Sequence, residues 1–202
     1  LDEIQQDPEL FAFAMAGGRS AFGVNCAQCH GSGAAGSPGY PNLNDDDWLW
    51  GGTLPAIYHT LKVGVRSTSP DTQSNIMSAY LRDGILTSAQ VNDVADYVLS
   101  LSGHAVDARA AERGAEIFAE QCVACHQEGG VGTHELGAPN LTDNVWLFGG
   151  DKRAVVQTIT IAAAKFERYR GGTDFIQQYV FPGGMLPSPE RFREEAADQG
   201  LA

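Results

Sequence analysis

Cys26-Ala27-Gln28-Cys29-His30 is the stretch that decides the fold of this 202-residue chain. Two cysteines three positions apart, followed at once by histidine, form the attachment signature of a c-type haem. Each thiol can form a thioether with one vinyl group of the porphyrin, and the histidine then lies where its imidazole can bind the iron. The sequence therefore predicts Cys26 and Cys29 as attachment residues and His30 as an axial ligand.

The same signature returns as Cys122-Val123-Ala124-Cys125-His126. The chain has four cysteines, and the two motifs use all of them. No cysteine is left for a disulfide or a thiol nucleophile. Five residues can match by chance, but two matches that use every cysteine are a strong signal. We therefore expect two covalently bound haem c groups, the second attached through Cys122 and Cys125 with His126 as its axial ligand.

The flanks of the two motifs align as an internal repeat, which indicates a duplicated domain. Pro41-Asn42-Leu43 returns as Pro139-Asn140-Leu141, and a tryptophan follows each proline at the same distance. A ligand histidine needs an acceptor for its second ring nitrogen, and the backbone carbonyl of the proline is our candidate. The residues predicted to line the two haem sites are Pro41, Leu43, Trp48, Pro139, Leu141 and Trp146.

Apolar periodicity predicts a mostly helical chain, with one helix running into each attachment motif. Thr53 can cap a helix that extends to about Val63, and Thr87 can cap a strongly amphipathic helix that extends to about Leu101. We expect the 87–101 helix to close the first domain by packing on the first helix. Gly18 indicates either close packing against another helix or a flexible joint.

Methionine is the expected sixth ligand of an electron-transfer haem, because its soft sulfur raises the potential. The chain has three methionines. Met15 lies on a helix face and is predicted to be a core residue, whereas Met77 lies between two predicted helices and is our sixth ligand for the first haem. Met185 can serve the second haem if the tail folds back over it. His134 is the alternative donor there, although a surface role is favoured.

The chain carries 25 acidic and 13 basic residues, a formal net charge of −12. This balance argues against nucleic acid as a partner and favours docking to a basic protein. No apolar run approaches the ~18 residues that a membrane span needs, and no signal peptide is visible. Any targeting or anchoring segment would therefore lie upstream of residue 1.

The tandem motifs, each followed by Pro-Asn-Leu, an acidic residue, Trp-Leu-aromatic and Gly-Gly, resemble the dihaem cytochrome c subunit (subunit III) of cbb3-type cytochrome c oxidases. The resemblance covers about residues 1–162, and 42–52 and 137–143 are its most specific parts. It implies an all-α fold of two tandem class I cytochrome c domains. Residues 1–103 would form the first domain, 104–109 a linker and 110–165 the second domain.

The resemblance also implies a function. Such a subunit is not an enzyme by itself; it relays electrons through two haems from a soluble cytochrome c to the catalytic haem–copper subunit, beside a monohaem cytochrome c subunit. It works on the periplasmic side of the bacterial inner membrane, tethered by an N-terminal membrane helix, so the resemblance implies a membrane tether upstream of residue 1. The family has His/Met-ligated haems, which agrees with His30, Met77 and His126. It usually has proline after the first ligand methionine, where this chain has Ser78.

The C-terminal part departs from that family. Residues 166–202 resemble a fragment of cyclopropane-fatty-acyl-phospholipid synthase, mainly through 166–170 and 174–188. The fragment lacks a glycine-rich nucleotide-binding turn, so it cannot transfer methyl groups alone. The second cytochrome domain is therefore expected to have an atypical C-terminal part.

Three alternatives remain open from the residues. The chain could be a stand-alone dihaem electron carrier, or a dihaem peroxidase-type enzyme, which needs one haem with an open sixth position. It could also be a zinc module, although zinc sites of four cysteines usually pair two Cys-x-x-Cys knuckles only ~15–20 residues apart.

Overall fold

The computed structural model of the chain describes residues 2–167. In this range the fold is all-α, as predicted: three isolated bridges connect loop residues, and no strand is formed. The helices are α1 (Asp2–Gln6), α2 (Pro8–Asn25), α3 (Ala27–His30), α4 (Leu54–Val63), α5 (Ser88–Leu101), α6 (Ala108–Gln121), α7 (Val123–His126) and α8 (Lys152–Glu167). A 3-10 turn spans Glu128–Gly130. Met185 and nearly all of the atypical tail lie outside the described residues.

Helix starts follow the capping residues that the sequence supplies. Thr53 caps α4 by accepting a hydrogen bond from the backbone N–H of Ala56 at 3.3 Å. Thr87 and Gln90 form a reciprocal capping box at the start of α5. Because these bonds satisfy backbone donors that have no partner inside the helix, the boundaries of α4 and α5 are encoded locally.

The chain divides into two units. The first contains the chain up to Asp46 together with Gly52–Gln73. Its long helix, α2, runs directly into the attachment motif but buries only Leu10. Met15 is 51% exposed, so the prediction that it is a core residue is wrong.

The second unit contains Asp47–Gly51 and the chain from Ser74 to the end of α8. Helix α5 lies at its centre and packs on α6 and α8. The buried core combines side chains from these three helices and from the loop before α5: Leu86, Val91, Val94, Ala95, Val98, Leu99, Phe118, Val155 and Ile159. The second attachment motif lies at the end of α6, beside this core.

Helix α5 therefore does not have the position that the sequence suggested. It was expected to close the first domain, whereas in the structure residues from Ser74 onward belong to the second unit. The apolar face of α5 is buried against Phe118 of α6 and Ile159 of α8. Burial of this face joins α5 to the helices that follow it, so the division into units lies before α5, and the predicted domain boundary at 103 and 104 stays a prediction.

Two ion pairs reinforce the packing of α5. Arg113 of α6 donates two hydrogen bonds to the Asp93 carboxylate, at 2.6 and 2.8 Å. Lys152 of α8 donates to Asp96 at 2.7 Å, and the Asp96 side chain is only 5% exposed. A buried carboxylate needs such a partner, because burial of an unpaired charge is costly. Each of the two neighbouring helices therefore provides a cation for α5.

Close helix packing occurs at a glycine of the second repeat. Gly114 of α6 lies against the backbone carbonyl of Asp93, and a methyl group added to it would also lie 2.9 Å from Cβ of Tyr97. At Gly18, the equivalent glycine of the first repeat, no atom of residues 2–167 apart from its chain neighbours and its own helix backbone lies within 4 Å of the place where a side chain would be. Of the two interpretations of Gly18, close packing is therefore not observed there, and it is observed at Gly114.

We expect Gly114→Ala to lower the free energy of unfolding by about 1–3 kcal/mol, the usual cost of overpacking. The helix-propensity gain of alanine, about 1 kcal/mol, is smaller than this cost. Gly18→Ala is the matched control and should be neutral or stabilising by up to about 1 kcal/mol. Denaturant unfolding followed by circular dichroism measures both. Equal effects of the two substitutions would contradict the packing of α5 on α6.

Low pH should remove the contribution of the Asp93–Arg113 pair to the free energy of unfolding. The Arg113 hydrogen bonds, with its positive charge, lower the pKa of Asp93 in the folded protein, against the opposing effect of burial. The pair therefore stabilises the fold fully above the unfolded carboxyl pKa of about 3.9, and the effect is lost as pH falls through the lower folded pKa.

Arg113→Gln should consequently be less stable than the original chain by an amount that is constant from neutral pH to about pH 5 and shrinks at lower pH. Arg109→Gln, the same change of charge on the same helix, is the control and should show no such dependence. Unfolding curves recorded across the acid range test this, and parallel curves for the two variants would refute the pairing.

Candidate haem-attachment sites

The first attachment motif forms a tight helical turn at the end of α2. The Cys26 carbonyl accepts hydrogen bonds from the backbone N–H groups of Cys29 and His30, at 3.1 and 2.9 Å. This turn places both half-buried cysteines and the histidine on one short piece of backbone. Such an arrangement is what two thioether links and one axial ligand require.

A proline carbonyl orients the first histidine. His30 Nδ1 lies 2.9 Å from the carbonyl oxygen of Pro41, so the hydrogen bond that the sequence predicted is present. An imidazole that donates from Nδ1 presents Nε2 as the lone-pair nitrogen for a metal. The ring is therefore held in the tautomer and direction that an iron ligand needs.

The loop between His30 and Pro41 folds back by two further hydrogen bonds. The N–H of Gly36 donates to the His30 carbonyl at 2.8 Å, and the N–H of Leu43 donates to the Ala34 carbonyl at 2.8 Å. Gly36 has φ +73°, and a side chain there would collide with the backbone of Tyr40 and Pro41. Glycine is thus required for the loop to bring Pro41 back to the histidine.

The second site repeats this construction. His126 Nδ1 lies 3.1 Å from the Pro139 carbonyl oxygen. Gly132 donates to the His126 carbonyl at 2.8 Å, and Leu141 donates to the Gly130 carbonyl at 2.7 Å. The two loops differ in length: thirteen positions separate histidine and proline in the second loop, and eleven separate them in the first. The repeat seen in the sequence is therefore also a repeat of hydrogen bonding.

Burial sets the protonation of the second site. It lowers the pKa of His126, against the opposing effect of the Pro139 hydrogen bond, which favours the neutral imidazole that binds metals. Burial raises the pKa of Cys122 to about 11, with a smaller contribution from Cys125. Burial and the neighbouring Cys29 likewise raise the pKa of Cys26. In the absence of a bound group, Cys26 and Cys122 are therefore protonated thiols at neutral pH.

Trp146 shows that the second site fits a haem. Its indole Nε1 is buried and has no hydrogen-bond partner among the described residues, although buried donors are usually satisfied. Leu141 and Cys122 pack against the same core as Trp146. A haem would supply both an apolar ring for these side chains and a propionate as acceptor for the indole.

The predicted lining residues are placed unevenly. Leu43 follows the Pro41 loop in the first unit and is half-buried. Trp48 is also half-buried, and it belongs with Asp47–Gly51 to the second unit. Its place in the first haem pocket stays a prediction. Trp50 from the same stretch lies against Gly137 of the second unit.

Met77 does not lie in the unit of the haem to which the sequence assigned it. It is half-buried and packs against the core of the second unit, together with Cys122 and Trp146. The sequence assigned it to the first haem because it follows the first motif. The assignment of Met77 to the first haem stays a prediction.

Two neighbours of Met77 were missed by the sequence analysis. The Asn75 side chain donates to the Leu136 carbonyl at 2.9 Å and lies 3.8 Å from Cys125 Sγ. The Tyr80 hydroxyl donates to the Gln121 carbonyl at 2.7 Å, and burial, with Cys122 and Cys125 nearby, raises its pKa to about 12. Their bonds join positions at least 41 apart, so no local pattern marks them.

Residues 2–167 contain neither a membrane-spanning helix nor a cluster of metal-binding side chains. No helix in this range is long and apolar enough to cross a membrane. No group of three or more histidine, cysteine, aspartate or glutamate side chains in this range could hold a metal ion.

Comparison with protein families divides the chain in two. Residues 15–102 match the family described as Cytochrome c. Residues 109–171 match the family described as Cytochrome C oxidase, cbb3-type, subunit III. Each match contains one attachment motif, so both copies of the repeat are cytochrome c domains.

Comparison with individual proteins agrees. The chain is 53% identical over 164 residues to the cbb3-type cytochrome c oxidase subunit FixP of Bradyrhizobium sp. (strain ORS 278), covering 79% of this chain and 56% of the relative. It is 53% identical over 161 residues to FixP of Azorhizobium caulinodans, with coverage of 79% and 54%. It is 49% identical over 163 residues to subunit CcoP of Cereibacter sphaeroides, with coverage of 80% and 56%.

The chain thus spans about half the length of these relatives. Two family matches, two attachment turns of the same construction and this level of identity lead to one assignment. The chain belongs to the family of the FixP and CcoP subunits of cbb3-type cytochrome c oxidases, which are dihaem c-type cytochromes.

Proposed function

We propose that the protein transfers electrons through two covalently bound c-type haems as a subunit of a terminal oxidase. The observation that carries this proposal is the paired construction of the two sites. In each, a helix ends in the attachment turn, and the ligand histidine donates to a proline carbonyl, at 2.9 Å in one and 3.1 Å in the other.

The residues have distinct roles in this proposal. Cys26 and Cys29 form the thioethers of the first site, and His30 binds the iron. Cys122, Cys125 and His126 do the same in the second site. Bound in this way, each haem supplies a one-electron iron couple whose potential depends on axial ligand and burial. Pro41 and Pro139 orient the histidines, and Leu43, Leu141 and Trp146 cover the haem faces or edges.

In this proposal the chain attaches, orients and buries the two haems. None of the assigned residues makes or breaks a bond of a substrate during turnover. It is therefore proposed as an electron-transfer subunit and not as an enzyme by itself. The peroxidase-type alternative needs one haem with an open sixth position. The stand-alone carrier differs in partner only, and the family relationship favours the subunit.

Charge suggests the partner on the donor side. The net charge of −12 creates a field that attracts basic proteins and speeds their encounter. We propose a soluble cytochrome c as donor, and the haem–copper catalytic subunit as acceptor, with the monohaem cytochrome c subunit beside it. The relatives' names support membership of a cbb3-type oxidase complex. We place the protein at the periplasmic side of the bacterial inner membrane.

The electron-transfer reaction should depend strongly on salt. Stopped-flow absorbance can follow the reduction of the haem-loaded chain by a basic soluble cytochrome c. Because the attraction is screened beyond about 8 Å at physiological ionic strength, the second-order rate should fall at least tenfold between low and high salt. An acidic cytochrome c of similar potential is the control and should react faster as salt rises. A salt-independent rate with the basic donor would contradict electrostatic docking.

The two histidines of the second site provide a matched pair of variants. His126→Ala should convert one of the two haems to a high-spin form and abolish electron delivery to an oxidase preparation that lacks this subunit, measured as oxygen consumption. His134→Ala removes an exposed histidine of the same loop and should leave spectrum and delivery unchanged. Absence of a haem Soret band in the original chain, or peroxide turnover at a high-spin haem, would overturn the proposed function.

A further inference from the structure

Residues 74–101, here called the closing segment, follow the first attachment motif in sequence but belong to the second unit. The segment contains Met77 and α5. Helix α5 contributes Val91, Val94 and Val98 to the core that includes Phe118 of α6. The helix that leads into the second attachment motif is thus covered by the closing segment.

Hydrogen bonds on both sides of Met77 hold this loop against the second motif. Two residues before it, the Asn75 side chain donates to the Leu136 carbonyl at 2.9 Å, beside Cys125 Sγ. Three residues after it, the Tyr80 hydroxyl donates to the Gln121 carbonyl at 2.7 Å. Gln121 and Cys125 lie at opposite ends of the attachment turn, so Met77 is bracketed by contacts to both ends of that turn.

The backbone of the loop is also anchored to α8. The N–H of Tyr80 donates to the Ile159 carbonyl at 3.0 Å, and Ala79 beside it is completely buried. Met77 itself packs on the core that contains Ile159. Asn75, Met77, Ala79 and Tyr80 are thus each held against the second unit, and together they restrict the position of the Met77 side chain.

The charges of α5 match the second repeat and not the first. Asp93 pairs with Arg113 and Asp96 pairs with Lys152. Counting from the aligned glycines, the first-repeat positions equivalent to Arg113 and Lys152 are Gly17 and Leu54. Neither residue can pair with a carboxylate. The closing segment therefore carries two acidic side chains, and the basic residues that pair with them occur in the second repeat but not at the equivalent positions of the first.

The longer loop of the second site gives independent support. Between His126 and Pro139 it has two residues more than the first loop, and they fall in the 134–137 hairpin. Leu136 of this hairpin accepts the Asn75 hydrogen bond, and Gly137 lies against Trp50. The 134–137 hairpin, which makes the second loop longer than the first, is thus the part of the loop that residues 47–51 and 74–101 contact.

From this juxtaposition we propose that the Met77 thioether is the sixth ligand of the iron whose fifth ligand is His126. The second repeat then needs no methionine of its own, because the segment preceding it in sequence supplies one. The inference rests on the proposed function only in assuming a haem at Cys122 and Cys125. It replaces the assignment of Met77 to the first haem.

The test uses the full chain with both haems, and the variant Met77→Leu identifies which methyl signal belongs to Met77. Methionine labelled with carbon-13 in the methyl group is incorporated, and the reduced protein is examined by NMR. A methionine methyl bound to haem iron is shifted far upfield by the ring current. We expect the Met77 methyl to be shifted, with nuclear Overhauser contacts to the haem whose thioether protons belong to Cys122 and Cys125.

Two results would overturn the proposal. Contacts from the shifted Met77 methyl to the haem of Cys26 and Cys29 would return it to the first site. An unshifted Met77 methyl, with Met185 shifted at the second haem, would assign the ligand to the tail. Neither result would affect haem content or reduction by the donor, so failure of this proposal is distinguishable from failure of the proposed function.

A pair of variants provides the assignment and a second readout. Met77→Leu preserves side-chain volume and should abolish the ferric iron–thioether absorption band of the second haem and lower its potential. Met15→Leu changes an exposed methionine and should preserve both. Redox titration measures the potential, and retention of the band and the potential in Met77→Leu would refute the ligand assignment.

Discussion

Burial of the apolar face of α5 against α6 and α8 is the interaction on which the second unit depends. Val91 and Val94 are almost completely buried, and they share one core with Phe118 of the helix that ends in the attachment turn. Because α5 begins at the capping box of Thr87, the loop before it has a fixed end point. Its other contacts then determine where Met77 lies. The position of a proposed metal ligand is therefore a consequence of helix packing.

The attachment turns and their orienting carbonyls could be predicted from the sequence, because they are local. Each turn consists of five consecutive residues, and the hydrogen bond from His30 to Pro41 spans eleven positions. The repeat strengthened the prediction by showing the same proline after His126. The caps at Thr53 and Thr87 were also evident, since a cap involves residues only three positions apart.

The partner of α5 could not be predicted by the same means. Periodicity shows that Val91, Val94 and Val98 share a face, but it does not show which helix covers that face. Order along the chain favoured the first domain. The sequence does contain a difference between the copies: Arg113 and Lys152 of the second repeat correspond to Gly17 and Leu54 of the first. This difference predicts the packing of α5 only when Arg113 is known to lie opposite Asp93, and Lys152 opposite Asp96.

A duplicated domain makes such differences decisive. The two copies have similar surfaces at the ends of α2 and α6. Whether α5 packs on α2 or on α6 therefore depends on the difference in free energy between these two contacts. Leaving Asp96 without Lys152 would place an unpaired carboxylate in an apolar core, which is unfavourable by itself. Gly114 permits the close approach that the Asp93 carbonyl makes, and the hairpin at 134–137 provides an acceptor for Asn75. Each of these features acts through the second copy, so together they hold the closing segment against the attachment motif at His126, and the proposed ligand role of Met77 rests on this placement.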